Sequence, residues 1–170
     1  AMGSVLEIWH DYRTEGIDDP ENAELPPMEK LQAAKNHTDI NKIIIDEANS
    51  TVYLADKDMS IDVGSVGKGY ATEQVCRDVE KKGFKHGLVS VGGNVRAIGN
   101  KGIENEMWNV GVENPDRESE KKSLVTVKIE NMSLVTSGDY QRYYTANGVQ
   151  YHHIINDDTL MPSTYFRAVT

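Results

Sequence analysis

A chain of 170 residues, 38% of them hydrophobic, is long enough for one domain with a real core. Its formal net charge of −9 argues against nucleic acid or an anionic membrane surface as the main partner, so any polyanionic ligand needs a local positive site. The one cysteine, Cys76, rules out a disulfide framework within the chain, and no run approaches the ~20 apolar residues of a membrane-spanning helix.

Val5 to Tyr12 carries apolar residues at Val5, Leu6, Ile8, Trp9 and Tyr12 and reads as a short helix packed on one side. Thr14 to Pro27 is polar and rich in Asp, Glu and Pro, which reads as a loop. Pro26 and Pro27 then open a helix to about Asn36, because proline is tolerated where the first-turn N–H is unpaired anyway. Lys42 to Asp46 and Thr51 to Leu54 are predicted strands, with Glu47 to Ser50 turning between them. Met59 to Val63 is a third predicted strand. A helix follows from about Val66 to Lys82, with Val66, Tyr70, Val75 and Val79 near one face. Cys76 falls near its buried side and reads as an inert core thiol. Gly83 suits a left-handed cap, and Lys81 and Lys82 complement the helix dipole in the last turn.

From Gly87 the chain reads mostly as strand. Leu88 to Val91 and Val95 to Ile98 flank Gly92-Gly93-Asn94, a hairpin signal. Met107 to Glu113 ends at Asn114-Pro115, Asp116 to Lys122 is a charged loop, and Leu124 to Glu130 alternates like a half-buried strand. Ser133 to Thr136 follows. Gln141 to Thr145 and Val149 to Ile155 pair around Asn147-Gly148, the strongest short turn signal in the chain. Tyr165 to Thr170 reads as the start of another strand.

The chemistry concentrates at Ile61 to Ala71, IDVGSVGKGYA. Here a predicted strand hands over to a helix through Gly64, Gly67 and Gly69, with Lys68 beside them. The first N–H groups of a helix have no partner inside it and its dipole favours an anion, so this is a way to hold a phosphate. It is neither a Walker A loop nor GxGxxG, and glycines kept only for tight packing would read the same way. Asp62 caps the turn or orients Lys68. Arg96 faces either phosphates or water. His152 and His153 are neighbours in a predicted strand and so point to opposite faces. Tyr140, Tyr143, Tyr144 and Tyr151 fit core or cross-strand pairs better than a stacking platform.

Four stretches occur in order: IDVGSVGKGYA, LVSVGGNVRAIG, WNVGVENP and LVTSGDYQRYYTANGVQYHHIIND. Their order and spacing resemble the ApbE family, the FAD:protein FMN transferases, and the resemblance runs from about Val5 to Thr170. It implies an α+β fold of mainly antiparallel sheets with a few packed helices. Residues 1–170 then form a single ApbE-like flavin transferase domain, incomplete at both ends. FAD is the implied substrate and Mg2+ the implied metal. Flavin contacts fall on Asp62, Gly64, Lys68, Gly92, Gly93, Asn94, Ser137 and Gln141. The metal takes the backbone carbonyl of Ser65, and its side-chain ligands lie in a DALST-type motif that these residues do not contain. His153 aligns with the histidine of an HxxDP-type motif and is implicated in the transfer. FMN passes to a Thr or Ser hydroxyl of a target flavoprotein, and AMP leaves.

Two departures stand out. HIINDDTLMP replaces the commoner HIIDPxTGxP, exchanging a carboxylate for the amide of Asn156. Ser137-Gly138-Asp139-Tyr140 matches SGDY, but the next residue, commonly glutamate, is Gln141, which can hydrogen-bond and cannot act as a base. By the same resemblance the full-length protein is membrane-anchored or extracytoplasmic. An exposed apolar patch, self-association, no bound flavin, no ordered metal and no transfer by these 170 residues alone are expected. The alternatives are an FAD-binding module without transferase activity, a pyrophosphatase splitting FAD into FMN and AMP, and an interaction domain that binds no flavin.

Overall fold

The computed structural model describes residues 1–170. Its first helix, α1 (Gly3–Asp18), runs well past the predicted Tyr12 into the stretch expected to be loop. The reason is a stripe at Val5, Trp9, Tyr12 and Gly16, whose last member hides from any count of apolar residues. Gly16 is buried, and a Cβ there would stand 2.6 Å from the Tyr144 ring. A 3-10 turn at Pro20–Asn22 follows, then α2 (Met28–Lys35) with Pro27 at its N-cap position. Strands β1 (Ile43–Asp46) and β2 (Thr51–Leu54) form the expected antiparallel hairpin, Ile43 opposite Leu54.

Met59 to Val63 is not a strand. Ser4 in the first turn of α1 takes up its backbone: the Ser4 hydroxyl donates to the Asp58 carbonyl at 3.0 Å and accepts from the Ser60 N–H at 3.1 Å. Met59 is buried, and a Cβ on Gly3 would overlap Ser60. The segment is an anchored coil, since a ladder needs the polar groups that Ser4 has claimed.

Helix α3 (Gly64–Lys81) begins two residues earlier than predicted, and Gly83 closes it at φ 93°. Strands β3 (Gly87–Val91) and β4 (Asn94–Ile98) pair around Gly92-Gly93, both at positive φ, as a two-residue hairpin requires. Strands β5 (Trp108–Glu113) and β6 (Ser123–Ile129) form an antiparallel ribbon. Strand β7 (Ser133–Val135) adds to β4, giving a three-stranded sheet in the order β3-β4-β7. Strand β8 (Ser137–Gly138) is short. The second predicted hairpin is β9 (Tyr143–Ala146) and β10 (Val149–His152), around Asn147 and Gly148 at φ 50° and 77°. Strand β11 (Ala168–Val169) pairs with β8. All pairings among the strands are antiparallel, the mixed α and β composition expected.

The chain divides into two compact units, residues 1–62 with 139–165, and residues 63–138 with 166–170. The first is built on Val5, Trp9, Leu31, Tyr144, Ala146 and Leu160. Buried polar ends are satisfied there: Trp9 Nε1 donates to the Leu160 carbonyl at 2.9 Å and the Tyr144 hydroxyl to the Glu24 carbonyl at 3.0 Å. Burial pushes the Tyr144 phenol up to about 12. Tyr144 and Tyr151 of the β9–β10 hairpin therefore serve the core, Tyr151 stacking on Trp9 at 6.2 Å between centroids.

In the second unit β4 is two-faced. Val95 and Ala97 join Val110, Ile129 and Trp108 in the core. Asn94 and Arg96 face helix α3. Of the four residues read as one face, Val66, Tyr70 and Val75 are exposed and Val79 is half-buried; the buried positions are Thr72 and, as expected, Cys76. Small and charged side chains let the helix approach β4 closely, so its packing face carries little hydrophobic signal.

Candidate functional site

The head of α3 meets the β3–β4 turn within the second unit. Val63 stands at the N-cap position and offers no side-chain bond; its carbonyl accepts from the N–H groups of Val66 at 3.0 Å and Gly67 at 2.7 Å. The first turn holds no acidic residue, so nothing in it offsets the positive end of the dipole. Lys68, a turn in, donates from Nζ to the Gly92 carbonyl at 3.1 Å. A Cβ on Gly92 would lie 3.4 Å from Lys68 Cδ, and one on Gly69 would lie 3.7 Å from Asn94 Oδ1. The other side of the turn is held by the Thr136 N–H donating to the Gly93 carbonyl at 3.0 Å. The Asn94 amide, buried, reaches the Val91 carbonyl at 3.3 Å.

Gly64, Lys68, Gly92, Gly93 and Asn94 thus share one small region, with Ser137 following directly on Thr136. An ammonium has three donors and Gly92 takes one, leaving Lys68 the capacity to bind an anion. The positive end of a helix dipole, a lysine and a turn whose side chains are hydrogen atoms fit a phosphate. The fit to a dication is narrower. Ser65 lies inside the helix, where the ladder uses one lone pair of its carbonyl and leaves the other. Gly64 to Lys68 contains no carboxylate, the ligand type a hard cation prefers.

Asp62, Gln141 and His153 belong to the first unit. His152 is buried, and its Nδ1 accepts from the Ile154 N–H at 3.2 Å, which places its proton on Nε2. His153 is exposed, and its Nδ1 lies 3.3 Å from the Arg142 carbonyl. A carbonyl only accepts, so Nδ1 carries the proton and Nε2 is the basic nitrogen. Adjacent histidines thus have opposite tautomers, one buried and one exposed. Asn156 keeps the acceptor role of the carboxylate it replaces: Oδ1 accepts from the N–H groups of Asp158 and Thr159, both at 2.9 Å.

Two charged clusters escaped the sequence reading. Arg96 faces neither phosphate nor water; it bonds Glu73 Oε2 on α3 at 3.2 Å. In the first unit the Asp56 carboxylate takes Lys42 Nζ at 2.9 Å and His37 Nδ1 at 3.0 Å, and holds the Asp58 N–H at 3.1 Å. With a lysine seated on it, that cluster is an ion-pair knot fastening β1–β2 to the end of α2. The side-chain pairs Arg96–Glu73, Lys42–Asp56 and His37–Asp56 join residues at least 14 positions apart, a distance at which no local spacing rule operates.

The whole chain, residues 1–170, matches the model of the ApbE family. It is similar to the FAD:protein FMN transferase of Treponema pallidum, 30% identical over 96% of this chain and 46% of that protein. Its counterpart in Escherichia coli is 30% identical over 95% of this chain and 45% of its own length. Among solved structures, the ApbE protein of Thermotoga maritima superposes with a TM-score of 0.81 at 30% identity, covering 98% of this chain and 51% of that one. The flavin transferase ApbE of Vibrio cholerae gives 0.67 at 26%, covering 85% and 45%. The chain spans about half the length of the curated relatives it matches. Four ordered motifs, the antiparallel α and β fold and a match along every residue agree: the chain belongs to the ApbE family.

Proposed function

We propose that this chain forms the diphosphate-holding part of an FAD:protein FMN transferase. The observation that carries the proposal is Lys68 on the Gly92 carbonyl at the head of α3, beside a turn with no side chain to fill it. FAD lays its diphosphate there, with Asp62, Asn94, Ser137 and Gln141 assigned by resemblance to further flavin contacts. Mg2+ would be held by the Ser65 carbonyl, phosphate oxygens and the ligands of a DALST-type motif, and supplies charge neutralisation to the diphosphate. By the same resemblance His153 is the base, its Nε2 accepting the proton of a Thr or Ser hydroxyl on the target protein. The hydroxyl oxygen attacks the FMN-side phosphorus, the bond to the AMP phosphate breaks, and Lys68 stabilises the charge that develops. The target keeps FMN as a phosphoester. By family resemblance the reaction belongs outside the cytoplasm or at a membrane surface.

The test is incubation with FAD, Mg2+ and a threonine-bearing acceptor domain, read as covalent flavin fluorescence in a denaturing gel. The 170 residues fused to the DALST-bearing half of a relative should label the acceptor, and the 170 residues alone should not. Labelling by the chain alone would show the metal ligands to be misassigned. A fusion that binds FAD stoichiometrically without releasing AMP would make this a binding module; FMN and AMP without labelling would make it a pyrophosphatase.

A further inference from the structure

Helix α3 and strand β4 lie side by side in matched register. Gly69 meets Asn94, and Glu73 meets Arg96. Four helical residues rise ~6.0 Å and two strand residues ~6.6 Å, so one step along each element keeps the pairing. The register matters at its upper end, where it brings Lys68 Nζ to the Gly92 carbonyl. A slip of one helical turn, ~5.4 Å, would remove Lys68 from the turn altogether.

The packing face offers little directional restraint against such a slip: Thr72 and Cys76 are small, Val79 is half-buried, Ile98 on β4 is apolar, and Val66, Tyr70 and Val75 point outward. One group on this face is directional. The Arg96 side chain, 12% exposed, bonds Glu73 through Nε at 3.2 Å and approaches Glu80 through Nη2 at 4.0 Å. It also donates to its neighbour's carbonyl at Ala97 and to Asn131 Oδ1 at the end of the sheet. Arg77 bonds the other oxygen of Glu73 at 2.9 Å, fixing that carboxylate's orientation. A planar guanidinium reaching carboxylates two helical turns apart fits one register only.

We propose that Arg96 is a positioning residue for the flavin site. Through Glu73 and Glu80 it locks α3 on β4, and so sets Lys68 and the helix N-terminus over the Gly92–Asn94 turn. Arg96 touches no substrate in this account. The inference rests on the reading that this turn holds the flavin diphosphate, but the lock itself is a property of the fold.

The experiment has two readouts, hydrogen exchange in the 170-residue chain and FAD binding in its fusion to the DALST-bearing half of a relative. Amide hydrogen exchange is compared between wild type, Arg96→Ala, Arg96→Lys and Glu73→Gln. Glu73 is partly exposed and glutamine matches its shape, so that variant keeps the fold even if Arg96→Ala does not. Exchange should rise selectively at Gly64–Lys68 and Gly92–Asn94 and stay unchanged in the β5–β6 ribbon. Arg96→Lys should restore part of the protection, as a point charge without the fork. FAD titration of the fusion that carries the DALST-type motif, with Mg2+, should show affinity falling about tenfold in Glu73→Gln and much less when Lys68 is already alanine, because the two residues act as one unit. Exchange that is unchanged, or raised uniformly over the unit, overturns the lock. Additive losses of affinity overturn action through Lys68. If exchange responds as stated and the fusion binds no FAD, the lock stands and the flavin reading fails.

Discussion

Lys68 and His153 have different environments and call for different experiments. Lys68 is tied to the Gly92 carbonyl, so its alanine variant loses one structural bond together with its charge. In FAD binding, Lys68→Ala should lose ~1.5–3 kcal/mol, the range of a charge-assisted hydrogen bond. His153 is exposed and its replacement should leave stability unchanged, yet His153→Ala should abolish transfer in the fusion protein while FAD still binds. His152 has the opposite profile. Its imidazole is buried with a bond from the Ile154 N–H, so His152→Ala should cost about 1–3 kcal/mol of stability and leave transfer within a few-fold. Equal losses of transfer from both would mean that the faces are assigned the wrong way round. Asp56 carries a pH prediction. The Lys42 bond first, then the Asp58 N–H and His37, lower its carboxyl from 3.8 to about 2. A lowered carboxyl contributes stability present in full above its unfolded pKa and lost as pH falls through the folded one. Urea midpoints should therefore decline between about pH 4 and pH 2. Asp56→Asn should be less stable at neutral pH and show a flatter decline; an unchanged slope would remove the knot from the account.

At the scale of elements, the turns were the most legible features. Gly83, Gly92, Gly93 and Gly148 all have the positive φ that their sequence contexts predicted. Gly148 has no atom within 4 Å of where a Cβ would stand, so Gly148→Ala should lose ~1–2 kcal/mol through backbone conformation alone. Chemical denaturation measures this directly, and an unchanged midpoint would mean the turn relaxes without penalty. What sequence missed has physical causes. Helix α1 was cut short because Gly16 packs by having no side chain. The strand at Met59 to Val63 was lost to a single hydroxyl, Ser4, 56 residues before Ser60. The face of α3 was misjudged because a helix pressed closely on a strand uses small residues and an ion pair there. The candidate site was legible as residue types around two glycine turns; the contact between those turns, Lys68 on Gly92, is a product of tertiary structure.

For the molecule as a whole, apolar residues remain at the surface in ordered elements. In the β1–β2 hairpin, Ile45 and its cross-strand partner Val52 are 66% and 59% exposed, and Ile44 and Tyr53 are a second exposed pair. On α3, Val66 and Tyr70 are exposed side by side at four-residue spacing. Such surfaces mark contact sites or association, and we expect the chain to self-associate as concentration rises. Light scattering behind size exclusion should show a mass above 19.0 kDa that falls in Ile45→Lys with Val52→Lys; a concentration-independent monomer would contradict this. The central claim, that the head of α3 and the Gly92–Asn94 turn hold the diphosphate of FAD, needs one measurement. FAD is titrated at low salt with Mg2+ into the fusion that carries the DALST-type motif and into its Lys68→Ala variant, following flavin fluorescence, with ADP as competitor. Binding should saturate, be displaced by ADP and weaken about 10- to 100-fold in Lys68→Ala. Binding of equal strength in the two proteins, or binding that ADP does not displace, would contradict it.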